Sequence, residues 1–283
     1  MLPFRIRFYL DKYKPRRLFK QLTPRRILLI CAVLLLTIVT VIVVRSGNKP
    51  SPAHTSVADA EEIVIGIALP SAFAGQQEDG RIIGYERDIA EAVLHELYPE
   101  KPLTFIPITS QEASFLLRSG QIDIALGMYV SGPLKTQGLS LSNAYFTDGV
   151  YAFCSAENPV NDLWVLANQR VRVLSSDITK SAVAAMFKEL EIPVDLHLCS
   201  SYPDGLDAVL TGDCVALIGP RYKLESFSEL HRIEEPVGFA SYRFLLWPDN
   251  KDLTELINDT LADLRARGTL ADLQHTWGLE EYQ

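Results

Sequence analysis

The sequence IVIGIAL at residues 63–69 opens an ordered run of elements that sets the fold class of this chain. It is a short apolar run rich in β-branched residues, which is typical of a strand buried on both faces of a parallel sheet. GYERDIAEAV at residues 84–93 begins a helix, predicted over 86–97, whose apolar residues recur at helical spacing. The run continues with strand 103–108, helix 110–118 and strand 122–126, the last within SGQIDIALGM at 119–128. This alternation predicts a doubly wound α/β lobe.

The same alternation is repeated later in the chain. Strands are predicted over 171–174, 194–198 and 215–218, and helices over 178–190, 205–210, 252–265 and 270–277. SGQIDIALG at 119–127 and TGDCVALIG at 211–219 share a helix end, a glycine, a buried strand and a terminal glycine. The stop signal Arg267-Gly268 separates the last two helices. We therefore expect two lobes of like design, each a doubly wound mixed sheet, with strand carboxyl ends facing a common cleft.

Two extended, aromatic-rich segments connect the predicted lobes. GVYAFCS at 149–155 and FASYRFLLW at 239–247 would cross from one lobe to the other, and two such crossings make a hinge. The expected boundaries are residues 62–150 with 240–283 for the first lobe and residues 151–239 for the second.

The N-terminal region has the charge and hydropathy pattern of a membrane anchor. Residues 1–26 contain nine Lys or Arg and one Asp, whereas residues from Ser46 onward contain 34 Asp or Glu and 17 Lys or Arg. Residues 27–44 are 18 consecutive uncharged residues, which as a helix would span about 27 Å, close to the hydrocarbon thickness of a bilayer. The pattern predicts a single-pass protein of the inner (cytoplasmic) membrane with a basic cytoplasmic head and a periplasmic body.

Residues 45–61 are rich in Ser, Pro, Ala and Asn, and this composition predicts a flexible tether between anchor and body. A cleaved signal peptide is the competing interpretation of the N-terminal pattern, since it also combines a basic head with an apolar run. Anionic lipid is a predicted partner of the basic head.

Composition and motifs argue against several classes of function. The acidic body lacks a basic groove with interleaved aromatics, which argues against nucleic acid. The sequence contains no GxSxG, HExxH or phosphate-loop motif, and its Cys and His spacings do not suit zinc. We expect no metal, no cofactor and no enzymatic activity. A disulfide between Cys199 and Cys214 would close a short loop in an oxidising compartment, although their predicted places at opposite ends of two strands disfavour it. His197, within a predicted strand, is interpreted as a structural histidine.

The order of the motifs from residue 62 to 279 resembles the family 3 periplasmic solute-binding proteins, the amino-acid-binding receptors of ABC importers. The resemblance rests on Pro70 with Phe73, then Asp79-Gly80, GYERDIAEAV at 84–93, LLRSGQID at 116–123, Gly127-Met128, LSNAYF at 141–146, RVRVL at 170–174 and LINDTLADLRARGTLADLQHTWG at 256–278. It implies a type II periplasmic-binding-protein fold with two lobes that close on a small polar solute, together with an ABC permease as partner.

The resemblance also implies where a ligand would bind, and this chain departs from the family at several of those positions. The family places a carboxylate-binding Arg soon after its GM motif, where this chain has Ser131 and then Leu134 or Lys135. The family acid that holds the amino group is replaced by the segment Gly219-Pro220-Arg221, and the helix-start motif GTT is replaced by Ser176-Asp177-Ile178. A frequent stacking aromatic is Ser110 here. The candidate ligand-binding residues are Phe73, Gly127, Met128, Tyr129, Ser131, Lys135, Ser176, Asp177, Ile178, Gly219 and Arg221.

Each of these candidates has a structural alternative. Asp177 is a good helix N-cap, Phe73 suits core packing, and Arg221 suits a solvated surface charge. Two further functions therefore stay open beside solute capture: a sensor or scaffold whose cleft has degenerated, and a dehydratase-like enzyme on the same fold.

Overall fold

The computed structural model describes residues 56–131, 138–174 and 180–282. The predicted basic head, the predicted membrane anchor and most of the predicted tether lie outside the described residues. The described residues form one compact unit. Among the described residues, no helix combines the length and the apolar character needed to cross a membrane.

The described chain alternates strands and helices in the predicted manner. The strands are β1 (Ile63–Ala68), β2 (Gly75–Gln76), β3 (Ile82–Ile83), β4 (Leu103–Ile108), β5 (Ile124–Leu126), β6 (Ser140–Ser155), β7 (Arg170–Leu174), β8 (Asp195–Cys199), β9 (Ala216–Pro220), β10 (Leu230–Arg232) and β11 (Gly238–Leu246). The α-helices are α1 (Tyr85–Leu97), α2 (Ala113–Arg118), α3 (Lys180–Glu189), α4 (Tyr202–Leu210), α5 (Arg221–Leu224), α6 (Lys251–Ala266) and α7 (Thr269–Thr276). A 3₁₀ helix covers Leu163–Leu166.

Nine strands form one continuous sheet in the order β4-β1-β5-β11-β6-β9-β7-β8, with β10 paired to β6. Its first half contains the parallel strands β1, β4 and β5, and its second half contains the parallel strands β7, β8 and β9. The long antiparallel strands β6 and β11 lie between the two halves and pair with each other. The predicted crossings are therefore confirmed as strands, but they join the halves into one sheet rather than separating two.

The largest hydrophobic core also extends through both halves. It includes Ile89 and Val93 of α1 together with Val183 and Phe187 of α3, so it does not divide at the predicted lobe boundary. A second core packs around α2, and a third lies under α4. The apolar stripe of α1 is buried in this core as predicted, and its burial holds the helix in place.

The segment that leads into the body differs from the predicted tether. Val57 is only 2% exposed, and the Lys101 ammonium donates hydrogen bonds to the carbonyl oxygens of Val57, Ala58 and Ala60 at 2.6 to 2.7 Å. The C-terminal part of the predicted tether is thus an ordered turn. Lys101 stabilises it by donating to its carbonyl groups, and Val57 stabilises it by packing into the core.

Candidate functional site

Phe73 follows β1 and is enclosed by aromatic side chains of the same chain. It is 2% exposed, and its ring lies 4.8 to 5.7 Å from the rings of Tyr85, Phe146, Tyr222 and Tyr242. One edge of this cluster borders a cavity of about 200 Å³ that Trp277 and Leu279 also line. Phe73 is therefore packed in the core, as its structural alternative predicted. Its ring also contacts Tyr222 of α5 and so links the two halves of the sheet.

The segment after β5 contains the candidates Gly127, Met128, Tyr129 and Ser131. A Cβ atom on Gly127 would lie 2.3 Å from the Cβ of Ala68, so only glycine fits between β5 and the end of β1. Met128 has a left-handed backbone with φ 56°. Met128 and Tyr129 are buried, whereas Ser131 is exposed. Close packing at Gly127 and the turn at Met128 place this segment at the carboxyl end of the first-half strands.

Glu86 organises this segment, and sequence reasoning missed it. The side chain is fully buried in α1 and accepts hydrogen bonds from the Met128 N–H at 2.7 Å, the Tyr145 hydroxyl at 2.5 Å and the Ser71 hydroxyl at 3.1 Å. Burial raises the pKa of Glu86, and its hydrogen bonds oppose that rise. The sequence did contain a signal for this buried acid: Glu86 lies three residues before Ile89, on the inward-facing side of the predicted helix.

Arg221 is the first residue of α5 and is already engaged within the chain. Its side chain is 18% exposed and lies 3.7 Å from a Glu225 oxygen and 3.5 Å from a Glu280 oxygen, and it also donates to the Tyr222 hydroxyl. The structural alternative for Arg221, a solvated surface charge, therefore does not describe this side chain. The neighbouring candidate Gly219 packs tightly, since a Cβ there would lie 2.8 Å from the Leu224 side chain.

Asp148, in the middle of β6, is a second buried acid that sequence reasoning missed. It is 1% exposed and accepts hydrogen bonds from the Tyr242 hydroxyl at 2.9 Å and from the Tyr222 N–H at 3.2 Å. Burial raises the pKa of Asp148 to about 6. One carboxyl group thus ties both crossing strands to the start of α5.

Four candidates, Lys135, Ser176, Asp177 and Ile178, lie outside the described residues. The described candidates fall into two groups: Phe73 with the 127–131 segment in the first half, and Gly219 with Arg221 in the second. The contact between Phe73 and Tyr222, with ring centroids 5.2 Å apart, brings these two groups together.

The remaining residue types that often form sites are histidine, cysteine and groups of metal ligands. His197 is half-exposed and lies 2.9 Å from an Asp195 oxygen. Cys199 and Cys214 are both buried in the third core, and the structure has no disulfide between them. Within the part of the chain that the structure describes, no three His, Cys, Asp or Glu side chains are grouped as metal ligands.

Comparison with family models identifies the fold and the family. The model of the bacterial extracellular solute-binding proteins, family 3, matches residues 63–280. This chain belongs to that family. The match covers both halves of the sheet, including both crossing strands, and ends within the segment that follows α7.

Individual relatives are distant. The glutamate/aspartate import solute-binding protein of Escherichia coli (strain K12) is 22% identical over 71% of this chain and 70% of its own length. Among solved structures, the probable amino-acid ABC transporter extracellular-binding protein ytmK from Bacillus subtilis has a TM-score of 0.63 and 14% identity, covering 77% of this chain and 97% of its own. The ancestral amino-acid-binding protein AncCDT-1, a precursor of cyclohexadienyl dehydratase, has a TM-score of 0.59 and 18% identity, covering 78% of this chain and 96% of its own. At these identities the structural matches establish the fold alone.

Proposed function

We propose that this protein is a membrane-tethered extracytoplasmic receptor that captures a small polar solute between two hinged lobes for an ABC importer. The observation that carries the proposal is the meeting of Phe73 and Tyr222, which brings together strand ends from the two halves of a family 3 fold. Ligands of open α/β sheets bind outside such carboxyl ends. The proposed lobes are residues 62–150 with 240–283 and residues 151–239, moving about β6 and β11.

An amino acid or a related solute is the class that we infer. The E. coli relative is named for glutamate and aspartate import, and the B. subtilis structure is named for an amino-acid transporter. Lys135 and the segment 176–178 remain proposed contacts, as do Gly127, Met128, Tyr129, Ser131 and Gly219. Arg221 is proposed as a wall of the site rather than as its anion clamp, because Glu225 and Glu280 already pair with it.

Thermal unfolding of the full chain in detergent micelles tests the proposal against a panel of amino acids, opines, polyamines and small dicarboxylates. A solute at about 100 times its Kd adds about 2.7 kcal/mol of stability, so we expect one member of the panel to raise Tm by about 5 to 10 °C. Isothermal titration then measures the stoichiometry, which should be one solute per chain. A panel without any saturable stabilisation contradicts the proposal.

A ligand-sensing or scaffold protein with a degenerate binding cleft is the second candidate. It is favoured by the enclosure of Phe73 within the chain's own aromatic cluster and by the internal ion pairs of Arg221. The absence of stabilisation across the panel would support this alternative. We infer binding rather than turnover. Product analysis of each stabilising solute by mass spectrometry checks this inference, because a dehydratase-like enzyme would convert its ligand.

The proposed membrane attachment needs its own experiment. Residues 1–26, 27–44 and 45–61 are the proposed cytoplasmic head, anchor and tether, and we propose that anionic lipid binds the basic head. An N-terminal epitope tag should remain on the protein in the membrane fraction after alkaline carbonate extraction. Loss of the tag from the mature protein would instead identify a cleaved signal peptide.

A further inference from the structure

Asp148 lies where the long strand β6 changes its partners. Strand β6 pairs with β11 up to Val150 and with β9 from Val150 onward, so the pairing extends into the second half within two residues of Asp148. The pairing of β11 with β6 is also irregular after Tyr242. Because strands bend at such irregularities and hinges consist of a few residues, these features place Asp148 in the proposed hinge.

The two hydrogen bonds of the Asp148 carboxylate come from opposite halves. Its Oδ2 accepts from the Tyr242 hydroxyl at 2.9 Å and from the Tyr222 N–H at 3.2 Å. Tyr242 belongs to the first half, where it forms a bridge with Val130, whereas Tyr222 is in α5, directly after β9 of the second half. One oxygen atom therefore cannot keep both bonds when Tyr222 moves away from Tyr242.

The charges around Asp148 only partly offset its burial. Arg221 of α5 favours the ionised carboxylate and Glu225 opposes it, and the Arg221 guanidinium is shared with Glu225 and Glu280. Further titratable groups on the elements packed around Asp148 are Tyr151 of β6, Tyr242 of β11, Tyr222 and Lys223 of α5, Arg265 of α6 and Glu281 of the C-terminal segment. Burial has the largest effect, since the side chain is 1% exposed, and it raises the pKa of Asp148 to about 6.

Separation of the halves changes the surroundings of this carboxyl group. When Tyr222 moves away with α5, water reaches the carboxylate and removes much of the cost of burying its charge. The pKa of Asp148 then falls toward its ordinary value of 3.8. The state with the halves in contact therefore holds a proton that the separated state releases between about pH 4 and pH 6, and by linkage acid favours contact.

We propose that Asp148 is a pH-sensitive switch in the hinge, and that mildly acidic surroundings favour the state in which Phe73 and Tyr222 hold the halves together. The inference rests on the proposed function only in taking β6 and β11 as the hinge, and it requires no solute. It goes beyond that function because it makes closure of the receptor, and hence capture of a solute, depend on the acidity of its surroundings.

The test measures distances between spin labels on the full chain by pulsed electron resonance, without solute. The labels replace the exposed His95 of α1 and Asp207 of α4. The ratio of the population that matches the structure to the separated population should rise by up to about 30-fold between about pH 7.5 and about pH 4.5. In Asp148→Asn the ratio should stay within about twofold, because an amide does not titrate. The exposed Asp259→Asn is the control and should follow the unaltered protein.

Tyr242→Phe separates a proton switch from a structural role. Loss of the hydroxyl removes a hydrogen bond that favours the ionised Asp148, so the midpoint of the pH transition should rise by about 0.5 to 1 unit. A residue that only held the strands together would change the populations without moving this midpoint. An unmoved midpoint in Tyr242→Phe overturns the inference, and so does equal pH dependence in Asp148→Asn and the unaltered protein. If Asp148→Asn does not fold, the midpoint of Tyr242→Phe decides.

The same measurement distinguishes this inference from the proposed function. If a solute of the panel shifts the populations while pH does not, the switch is wrong and solute capture stands. If pH acts through Asp148 but no solute of the panel binds, the switch stands and solute capture is wrong. A single unchanging population under every condition contradicts the hinge and therefore both.

Discussion

Glu86 shows how one buried side chain shapes the proposed binding segment. It serves three donors from three separate parts of the chain: Ser71 after β1, Met128 after β5 and Tyr145 in β6. A carboxylate can accept all three at once, and the residue thereby supports the left-handed backbone of Met128. These three hydrogen bonds hold the segment in place.

Replacing Glu86 by alanine should destabilise the protein by about 2 to 4 kcal/mol. The three donors would lose their acceptor in a buried place, and each unsatisfied group costs about 1 to 3 kcal/mol before relaxation or water entry. Glu86→Gln should cost less, since its amide oxygen still accepts. Urea unfolding measures the difference, and Glu91→Gln on the partly exposed side of the same helix is the control. Equal stabilities of the alanine variant and the control would refute the network.

Asp148 should make stability depend on pH. Burial raises its folded pKa to about 6 from the usual 3.8, so the folded state holds a proton that the unfolded state has released between about pH 4 and pH 6. The stability contributed by this group is therefore present at low pH and is lost as pH rises through that window, by up to about 3 kcal/mol. Above about pH 6 the loss is complete.

The measurement is the difference in unfolding free energy between Asp148→Asn and the unaltered protein from pH 4 to pH 7. Glu86 shifts in the same direction, and subtracting the two curves removes its contribution. We expect Asp148→Asn to gain stability relative to the unaltered protein as pH rises. The control is the exposed Asp259→Asn, whose curve of unfolding free energy against pH should be parallel to that of the unaltered protein. Parallel curves for Asp148→Asn would contradict the assignment.

At the scale of elements, helix α4 shows why a boundary was misjudged. Its predicted range began at residue 205, whereas it begins at Tyr202 because Ser201 accepts a hydrogen bond from the Asp204 N–H and Pro203 suits the first turn. Gly205, where the predicted range began, lies inside the helix and packs closely on the sheet, since a Cβ there would lie 2.6 Å from the Leu217 side chain. In α4, the glycine therefore indicates close packing of the helix on the sheet and not the start of the helix.

The turn at residues 56–60 should depend on Lys101. Removing the ammonium in Lys101→Met leaves three carbonyl oxygens without their shared donor, which we expect to cost about 1 to 2 kcal/mol. Hydrogen exchange of the Asp59 and Ala60 amides, which bond to the Ser56 carbonyl, should accelerate at least tenfold. The exposed Lys188→Met is the control. Unchanged exchange in Lys101→Met would show that Val57 alone holds the turn.

For the whole molecule, the segment 279–282 forms a third connection between the halves. The Glu280 N–H donates to the Tyr222 hydroxyl of α5 at 2.7 Å, and the Tyr282 N–H donates to the Thr147 carbonyl of β6 at 2.8 Å. Tyr282 also stacks on Phe239 of β11, with centroids 6.3 Å apart. Because the segment directly follows α7, it adds a further link between the halves of the sheet beside the two crossing strands.

Deleting residues 280–283 should loosen the halves. Without the contacts of Glu280 to Tyr222 and Arg221, the distribution of distances between spin labels on α1 and α4 should broaden in pulsed electron resonance. We also expect a loss of about 1 to 3 kcal/mol in unfolding free energy. Deletion of Gln283 alone is the control. An unchanged distance distribution would show that β6 and β11 set the geometry by themselves.

Local pattern was sufficient for the longer strands and helices of this fold. Strand β4 lies at its predicted residues 103–108, and α6 and α7 meet at the predicted stop at Gly268. Apolar periodicity, glycine turns and capping residues act over a few neighbours in sequence, so a linear reading contains them. The two-residue strands β2 and β3 were missed because they are too short to show any period.

The tertiary structure alone decided the site and the continuity of the sheet. Apart from Ser71, the hydrogen-bond partners of Glu86, Asp148 and Lys101 lie about 40 to 95 residues away along the chain. No local rule pairs them, since a buried acid or base is recognised only by what surrounds it. Chain periodicity specifies which face of an element is buried, whereas the balance between desolvation and long-range hydrogen bonds depends on the neighbours that folding brings to that face.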